Sequence, residues 1–333
     1  TIFVKENAIL ANSELEGSLA VGGTATFGGP RGNQNLQYPI FHAKGGNADY
    51  VVPEIDGGPS RVLIQKFGSG TKIVQVEGGG AAEGSNNAKA GAKLGDQEAP
   101  PSYAFRKSYD SSGTTYLPDD GGNQSPQLDS RVQPWTDLSA AQESFGIEED
   151  SVLDYFPTDV GKEVIEAFND WHVIEGPAGN DQVVTLNGKQ PSMLPLSAFR
   201  GSDGNVFEKF QLAGYSEESF LVITVDPDED VRNGTVTLPS YAFEGASSTD
   251  GEAVSYILFD FSAVSGEVTV VARNEPVRGA IYAPAAHIVF PPESEGGREF
   301  EGQIIAQNLT ALQGGKEMHT NLFATVGGML NGS

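Results

Sequence analysis

The hydrophobic positions along the chain fall in short runs rather than in long helical stripes. Over 2–27, apolar and β-branched residues form such runs, and they are interrupted at Asn12 and at Gly22-Gly23. Short runs between turn residues are typical of β-strands. The same pattern, bounded by Gly, Asn or Pro, predicts further strands at 38–43, 50–53, 61–67 and 71–77.

A second set of apolar runs follows residue 182, so the β content returns in the last part of the chain. The predicted strands are 207–212, 220–225, 235–238, 253–261, 267–272, 278–283 and 300–306. The chain also contains 42 Gly and 19 Pro, a density of breakers that a helical bundle would not tolerate. We therefore predict a mostly β fold, an irregular, discontinuous β-solenoid. The sequence contains no repeat of fixed period, so a regular β-helix is not indicated.

One segment has the spacing of an amphipathic helix. Its apolar residues recur three and four positions apart after Pro157 and the capping residue Thr158, and they are Val160, Val164, Ile165, Phe168 and Trp171. A shorter helix is predicted at 138–145. An apolar helical stripe packs against a sheet far more often than it binds a ligand. The expected role of the longer helix is therefore to flank the solenoid.

The stretch from 78 to 134 differs in composition from both β segments. It is rich in Gly, Ala, Ser, Asn, Asp and Pro, which predicts long inserted loops. We expect one discontinuous domain over 1–327, with β segments 1–77 and 182–327, a loop and helical insert at 78–181, and a tail at 328–333. Each β segment alone would leave an unpaired edge.

The charge of the chain is strongly one-sided. Its 45 acidic and 20 basic side chains give a formal net charge of -25. Such a charge repels nucleic acid and anionic lipid surfaces, and it keeps an exposed protein soluble. The absence of cysteine excludes disulfides, thiolate metal sites and thiol nucleophiles.

The chain offers no segment for membrane insertion. Its longest apolar stretches, such as 256–261, are far shorter than a bilayer requires. Thr1 is not preceded by a charged and apolar leader, so we expect that a signal peptide has been removed or is missing from this sequence. This expectation fits an extracellular protein.

Two stretches carry a family signal. The first reads FVKENAILANSELEGSLAVGGTATF over 3–27, and the second, over 256–323, contains YILFDF, VRGAIYAPAAHIVF, FEGQIIAQNL and GGKEMHTNLF. They resemble the choice-of-anchor A domain, a bacterial adhesive domain. The likeness covers about a third of the chain, and the middle matches only in outline.

Small residues in the second stretch are expected to let neighbouring strands stack closely; they are Gly279, Ala283, Ala285 and Ala286. Pro284 is expected to end ladder pairing at a corner, because it has no N–H group. His319 is expected to cap a turn rather than to catalyse.

This resemblance implies a function and a location. It implies the ligand-binding head of a fibrillar adhesin of Gram-positive bacteria, secreted and wall-anchored through a region outside this chain. The partners would be a host extracellular matrix protein or a surface glycan, and the head would be a monomer on a stalk. No sorting motif is visible in the sequence.

Three carboxylates at alternate positions form the candidate metal site: Asp226, Asp228 and Asp230. A helical calcium loop would need Gly and Glu where Val231 and Thr237 stand, so that site is excluded. A looser oxygen site for Ca²⁺ stays open beside the expectation that the protein needs no cofactor. Solvated surface charge is the alternative.

Aromatic residues in or near the long loops form the candidate ligand-binding site. They are Tyr103, Phe105, Tyr109, Tyr116 and Trp135. Exposed aromatic rings contribute strongly to interfaces, so these residues are plausible ligand contacts. The same residues would serve equally well as a small core of the loop itself.

Enzymatic signatures are missing from the sequence. The histidines at 42, 172, 287 and 319 form no HExxH or HxH pattern, and no nucleophile-elbow or phosphate-loop motif occurs. We therefore expect a protein that is not an enzyme. A polysaccharide-acting β-helix enzyme with paired carboxylates is one alternative.

Ice or crystal-surface binding is another alternative. Flat β-faces that carry Thr-x-Thr pairs can present regular hydroxyls, and the chain has Thr24-Ala-Thr26 and Thr235-Val-Thr237. The two pairs lie far apart in the sequence. By themselves they predict no array, because Thr is favoured in strands anyway.

Overall fold

The described part of the protein is built almost entirely from strands. In this computed structural model the described residues are 2–12, 15, 19–27, 37–39, 54–55, 58–67, 73–75, 91–94, 104–106, 132–134, 172–173, 183–186, 192–216, 219–243, 254–312, 314–319 and 322–323. Their helical segments are two 3₁₀ turns, at Leu196–Phe199 and Glu293–Glu295. No helix among these residues is long and apolar enough to cross a bilayer. The mostly β prediction is confirmed.

The strands are short and are numbered in chain order. Up to residue 134 they are β1 (Ile2–Val4), β2 (Ala8–Leu10), β3 (Leu19–Phe27), β4 (Gln37–Pro39), β5 (Glu54–Ile55), β6 (Gly58–Phe67), β7 (Ile73–Gln75), β8 (Gly91–Leu94), β9 (Ala104–Arg106) and β10 (Val132–Pro134). From residue 172 to 243 they are β11 (His172–Val173), β12 (Val183–Thr185), β13 (Ser192–Pro195), β14 (Lys209–Ala213), β15 (Leu221–Thr224), β16 (Thr235–Thr237) and β17 (Ser240–Phe243). The last are β18 (Val254–Ser255), β19 (Ile257–Asp260), β20 (Gly266–Val271), β21 (Val277–Arg278), β22 (Ala280–Phe290), β23 (Phe300–Glu301), β24 (Ile304–Ala311), β25 (Met318–His319) and β26 (Leu322–Phe323).

One large sheet organises these strands, with the first strand in its middle. Its order is β10-β8-β6-β3-β1-β24-β22-β19-β15-β13-β11. Apart from the antiparallel β5–β6 pair, the described strand pairs are parallel. The chain therefore builds outward from β1 to β10, resumes at the opposite end with β11, and returns to β1 through β24.

The large sheet has two arms because its long strands bend. Lys5 and Glu6 form a bend between β1 and β2. β1 pairs with the first half of β24, and β2 pairs with its second half. In β22 the pairing register shifts between Ala283 and His287. Pro284 lies at this shift, where a residue without an N–H group fits an interrupted ladder, as the sequence predicted. We call the part before the bend the first arm and the part after it the second arm.

Successive segments visit three layers in the same order. β19 lies in the first arm, β20 in the second arm and β21 in a separate sheet with β23 and β25. The two halves of β22 followed by β23 repeat this path, as do the two halves of β24 followed by β25. β1, β2 and a bridge from Leu15 to Met318 complete a further turn.

The core lies between these layers. Alternate residues of the strands point into it and are buried, including Ile2, Phe259, Ile281 and Ile304 of the first arm. Val222, Leu258 and Ile305 lie between core-facing residues on β15, β19 and β24, so they point to the other face, and they are buried as well. Both faces of this part of the first arm are thus covered, as is usual for parallel sheets.

The interval 78–181, predicted as a loop and helical insert, also contains strands in the structure. The predicted helices at 158–171 and 138–145 lie outside the described residues. β8, β9, β10 and β11 lie within the interval 78–181 that the sequence assigned to loops and a helix. Their composition is a weak β signal, but β8 pairs in parallel with β6, and such pairing overrides local propensity. The β-solenoid class and the single discontinuous domain stay predictions.

Candidate functional site

The outward face of the second arm is a regular surface that is not covered like the first arm. Val236, Val268, Ile288 and Leu309 point into the core and are buried. Because side chains alternate along a strand, the residues between them point outward. The face is therefore defined by the neighbours of these core residues.

The pairing register aligns these outward residues in one row. Thr235 pairs with Thr269, Thr269 with Val289, and the row continues through three more strands. Across six strands the row reads Thr235, Thr269, Val289, Thr310, Ile9 and Thr26. Each member is β-branched, and four carry a hydroxyl. We call this outward surface the threonine face.

The spacing of the threonine face follows from β geometry. Neighbouring strands lie about 4.8 Å apart, and residues two apart on one strand lie about 6.6 Å apart. Two further threonines extend the face along the strands: Thr237 lies two residues after Thr235, and Thr24 lies two residues before Thr26. Thr26, Thr235 and Thr269 are partly exposed, whereas Thr310 is 8% exposed. Val289, beside Thr310 in the row, is also 8% exposed, so the face presents hydroxyl and methyl groups at regular strand intervals but is least accessible at its centre.

This arrangement overturns one expectation from the sequence. The Thr24-Ala-Thr26 and Thr235-Val-Thr237 pairs are far apart in the chain and predicted no array. In the structure both pairs lie on the second arm, at the two ends of the row of six strands, and Thr269 and Thr310 lie between them. A parallel ladder that joins distant segments produced this alignment, and no local pattern signals it.

A polar row borders the threonine face. Glu267 pairs with His287 in register, and His287 pairs with Asn308. The His287 Nδ1 atom is 3.3 Å from a Glu267 carboxylate oxygen, and its Nε2 atom is 2.8 Å from the Thr310 hydroxyl. Charged and hydrogen-bonding groups therefore lie directly beside the hydroxyl row.

The bend between the arms is held by side-chain amides. The Asn308 Oδ1 atom accepts a 2.9 Å hydrogen bond from the Asn7 backbone N–H, and the Asn7 Oδ1 atom accepts one of 3.0 Å from Thr24. Gln307 and Asn308 also donate to the Glu6 carboxylate, at 2.9 and 3.1 Å. These hydrogen bonds lower the pKa of Glu6. Three neighbouring strands are thereby fixed at the same bend.

The aspartates predicted to bind a metal hold a turn together. The Asp226 Oδ1 atom accepts hydrogen bonds from the Asp228 and Glu229 backbone N–H groups, at 2.8 and 3.3 Å. Asp230 is 3% exposed, and its carboxylate pairs with Arg200 at 2.9 Å and accepts from the Asp226 N–H group. These contacts explain the conformation of the segment without an ion. Calcium binding there stays a prediction.

The predicted aromatic site falls mostly outside the described residues. Tyr103, Tyr109, Tyr116 and Trp135 are not among them, and Phe105 is described only as part of β9. The structure therefore leaves this prediction as it stood. The threonine face, which sequence reasoning did not find, lies elsewhere.

A different group of metal-type ligands is brought together between β23 and β25. It consists of Glu299, Glu317 and His319, whose ligand atoms lie within 4.8 Å of one another. The His319 Nε2 atom is 2.7 Å from Glu299 and 3.2 Å from Glu317. The sequence predicted His319 as a turn cap, whereas the structure places it at 8% exposure between two carboxylates. Both carboxylates lie at ion-pair distance from the same nitrogen of His319.

Comparison with protein families identifies the class of this chain. The model of one family, described as "Putative Ice-binding-like adhesive domain", matches residues 1–320. The chain belongs to this family. No curated protein and no solved structure matches it.

Membership of the ice-binding-like adhesive family bears out the sequence reading at a coarse level. It supports an adhesive domain and a surface-exposed protein. The narrower resemblance to the choice-of-anchor A domain is not what the family model matches. The threonine face is the described surface whose regularity best suits an adhesive domain.

Proposed function

We propose that this protein is the non-enzymatic, ligand-binding head of a bacterial surface adhesin, and that it attaches through the threonine face. The observation that carries the proposal is the row of four threonines and two aliphatic residues in register across six strands. The partner would be a host matrix protein or a surface glycan. The three layers of strands would form an irregular β-solenoid that presents this face to its target.

The physical basis of the proposal is preorganisation. Each strand of the second arm is hydrogen-bonded to its neighbours, so the hydroxyl and methyl groups are fixed before a ligand arrives. A rigid surface loses little conformational entropy on binding, and many weak contacts can then add up. A flat, repeating surface suits an extended target such as a fibre or a polymer chain.

Bulky substitutions on the threonine face test this function. Beads that carry the wild-type chain should be retained on at least one surface among fibrillar collagen, fibronectin, chitin and cellulose. The double variant T26Y/T269Y should lower this retention about tenfold, since tyrosine rings would lift a flat target off the face. Tyrosine is favoured in strands, so the fold should persist.

Thr185 provides the matched control. It is an exposed strand residue of β12, which belongs to a separate sheet with β14 and β17. The T185Y variant should adhere like the wild type, and circular dichroism should show the same β content in all variants. Equal adhesion of T26Y/T269Y and wild type would refute the threonine face as the binding surface.

Ice or crystal-surface binding is the second candidate, and the same row favours it. Strands along the row are about 4.8 Å apart, so its hydroxyls recur at one or two strand spacings, interrupted at Val289 and Ile9. Thr24 and Thr237 add hydroxyls about 6.6 Å away along two of the strands. If ice is the target, the wild type should show thermal hysteresis and slow ice recrystallisation, and T26Y/T269Y should abolish both effects. A freezing point equal to the melting point would exclude this candidate.

A further inference from the structure

A cavity of about 300 Å³ opens beside the threonine face. Thr235 and Thr237 of β16, the last described strand of the second arm, form part of its lining. The lining also includes three arginines: Arg200, Arg232 and Arg273. Ligand pockets span about 300 to 1,000 Å³, so this cavity suits one sugar residue or one charged group. We call it the arginine pocket.

The arginine pocket is unusual in so acidic a protein. The chain has 20 basic residues against 45 acidic ones, yet three arginines meet here around one aspartate. Arg200 is neutralised by Asp230, 2.9 Å away, and its Nη1 atom donates to the Gly204 carbonyl at 3.1 Å. This pair is a fixed part of the wall.

The other two arginines are available to a ligand. Within the described part of the chain, neither Arg232 nor Arg273 lies at ion-pair distance from a carboxylate, and both are exposed. Arg273 makes only a long contact of 3.5 Å to the Val206 carbonyl. Asp203 is not part of the lining, and its carboxylate accepts hydrogen bonds from Asn205 at 3.0 and 2.8 Å. Asp203 interacts with Arg273 electrostatically but is not in contact with it. Among the described residues no carboxylate forms a direct ion pair with Arg232 or Arg273, so both guanidinium groups can still pair with an anionic ligand.

We propose that the arginine pocket binds the carboxylate or sulfate of an acidic glycan whose neighbouring sugars lie along the threonine face. Guanidinium groups bind planar or tetrahedral oxyanions through paired N–H donors. The adjoining hydroxyls of Thr235 and Thr237 suit the neutral part of a sugar. The net charge of -25 opposes every polyanion, acidic glycans included, so the attraction is confined to the arginine pocket and must outweigh this repulsion locally. This inference rests on the proposed adhesive function, for which it names the ligand class.

Calorimetric titration in solution tests the pocket apart from surface adhesion. The probes are hexamers of galacturonate, alginate and heparin, and the galacturonate hexamer with its carboxylates methyl-esterified. The wild type should bind at least one acidic hexamer. The dissociation constant should rise about tenfold or more for R232Q/R273Q, since each lost charge-assisted contact is worth about a factor of ten. For the same reason, esterification of the galacturonate hexamer should raise its dissociation constant for the wild type about tenfold.

A second double variant controls for overall charge. K5Q/K316Q removes the same two charges from exposed residues that do not line the pocket, and it should bind like the wild type. The pocket assignment is overturned if the wild type binds none of the acidic hexamers, or if R232Q/R273Q binds as tightly as the wild type while its melting temperature is unchanged. Failure of bead adhesion alone would overturn the proposed function and leave the solution result intact.

Discussion

At the scale of single residues, Gly302 shows how closely the turns of the chain approach one another. A Cβ atom at this position would lie 1.9 Å from the Gly279 carbonyl oxygen, far inside van der Waals contact. Gly279 itself has a φ of 139°, and its own Cβ would lie 2.8 Å from the Phe259 ring. The two glycines therefore let neighbouring turns stack at this edge.

Substitution of Gly302 by alanine should destabilise the fold strongly. The neighbouring carbonyl belongs to backbone and cannot rotate away, so the strand must shift. The expected loss in the free energy of unfolding is about 1 to 3 kcal/mol or more, measured by urea denaturation. G204A is the control: a Cβ atom at Gly204 would meet nothing within 4 Å, but the φ of 76° strains any residue other than glycine. It therefore measures backbone strain without a steric clash. Equal losses for G302A and G204A would contradict the close-approach explanation.

Asp260 should make stability depend on pH. Burial raises the pKa of Asp260, and hydrogen bonds from Ser262 only partly offset this effect. Because the pKa of Asp260 is higher in the folded than in the unfolded protein, its contribution to stability is fully present below the unfolded-state pKa. That contribution is lost as the pH rises through the folded-state pKa. At neutral pH the D260N variant should thus be more stable than the wild type, and the difference should shrink on acidification. A variant less stable at pH 7 would contradict this cause.

The sequence predicted some residue roles because they depend on size alone. Small residues at Gly279, Ala283 and Ala286 were expected where strands stack closely, and all three are buried. Ala285 was expected there too, but it is exposed at the bend. The pairing of His319 with Glu299 could not be predicted, because Glu299 directly precedes a different strand, β23, and only the β23–β25 pairing brings the two together.

At the scale of elements, the bend between the two arms is stabilised by the Asn308 side chain. Its Oδ1 atom accepts from Asn7, and its Nδ2 atom donates to Glu6. N308A should lower the free energy of unfolding by about 0.5 to 1.5 kcal/mol per lost hydrogen bond. Asn274, with its exposed 2.9 Å bond to Glu208, is the control, and N274A should cost less. The reverse order would show that the bend does not depend on Asn308.

Strands with strong local patterns were predictable, and those held by pairing alone were not. The strand predicted at 235–238 is found at Thr235–Thr237, because its alternation places Val236 in the core. Gly91–Leu94 has little β propensity and was assigned to a loop. It is a strand because β6 on one side and β10 on the other provide its hydrogen-bonding partners.

At the scale of the whole molecule, the net charge of -25 should limit stability at low ionic strength. Like charges repel in the compact state, and the Debye length shortens from about 30 Å at 0.01 M salt to about 8 Å at 0.15 M. The melting temperature at pH 7 should therefore rise between these two NaCl concentrations. A fall would mean that attractive pairs such as Arg278–Glu301 outweigh the repulsion.

The order of the strands in the sheet is the part of the fold that local sequence patterns do not predict. Composition and spacing predicted the β class, yet the threonine face exists only because β16, β20, β22, β24, β2 and β3 lie side by side. Thr26 and Thr235 reach one surface through pairings between segments hundreds of residues apart. Local patterns indicate which residues point outward but not which strands are neighbours.

The central position of β1 has a consequence for how the protein is made. Among the described strands, β1 is synthesised before both of its partners. It can pair with β3 almost at once, but its other partner, β24, emerges about 300 residues later, as the Glu6–Gln307 separation of 301 shows. Until then one edge of β1 is open to pairing with other chains. Such distant closure also makes folding slow. A chaperone that shields the nascent amino-terminal segment would raise the yield of folded protein.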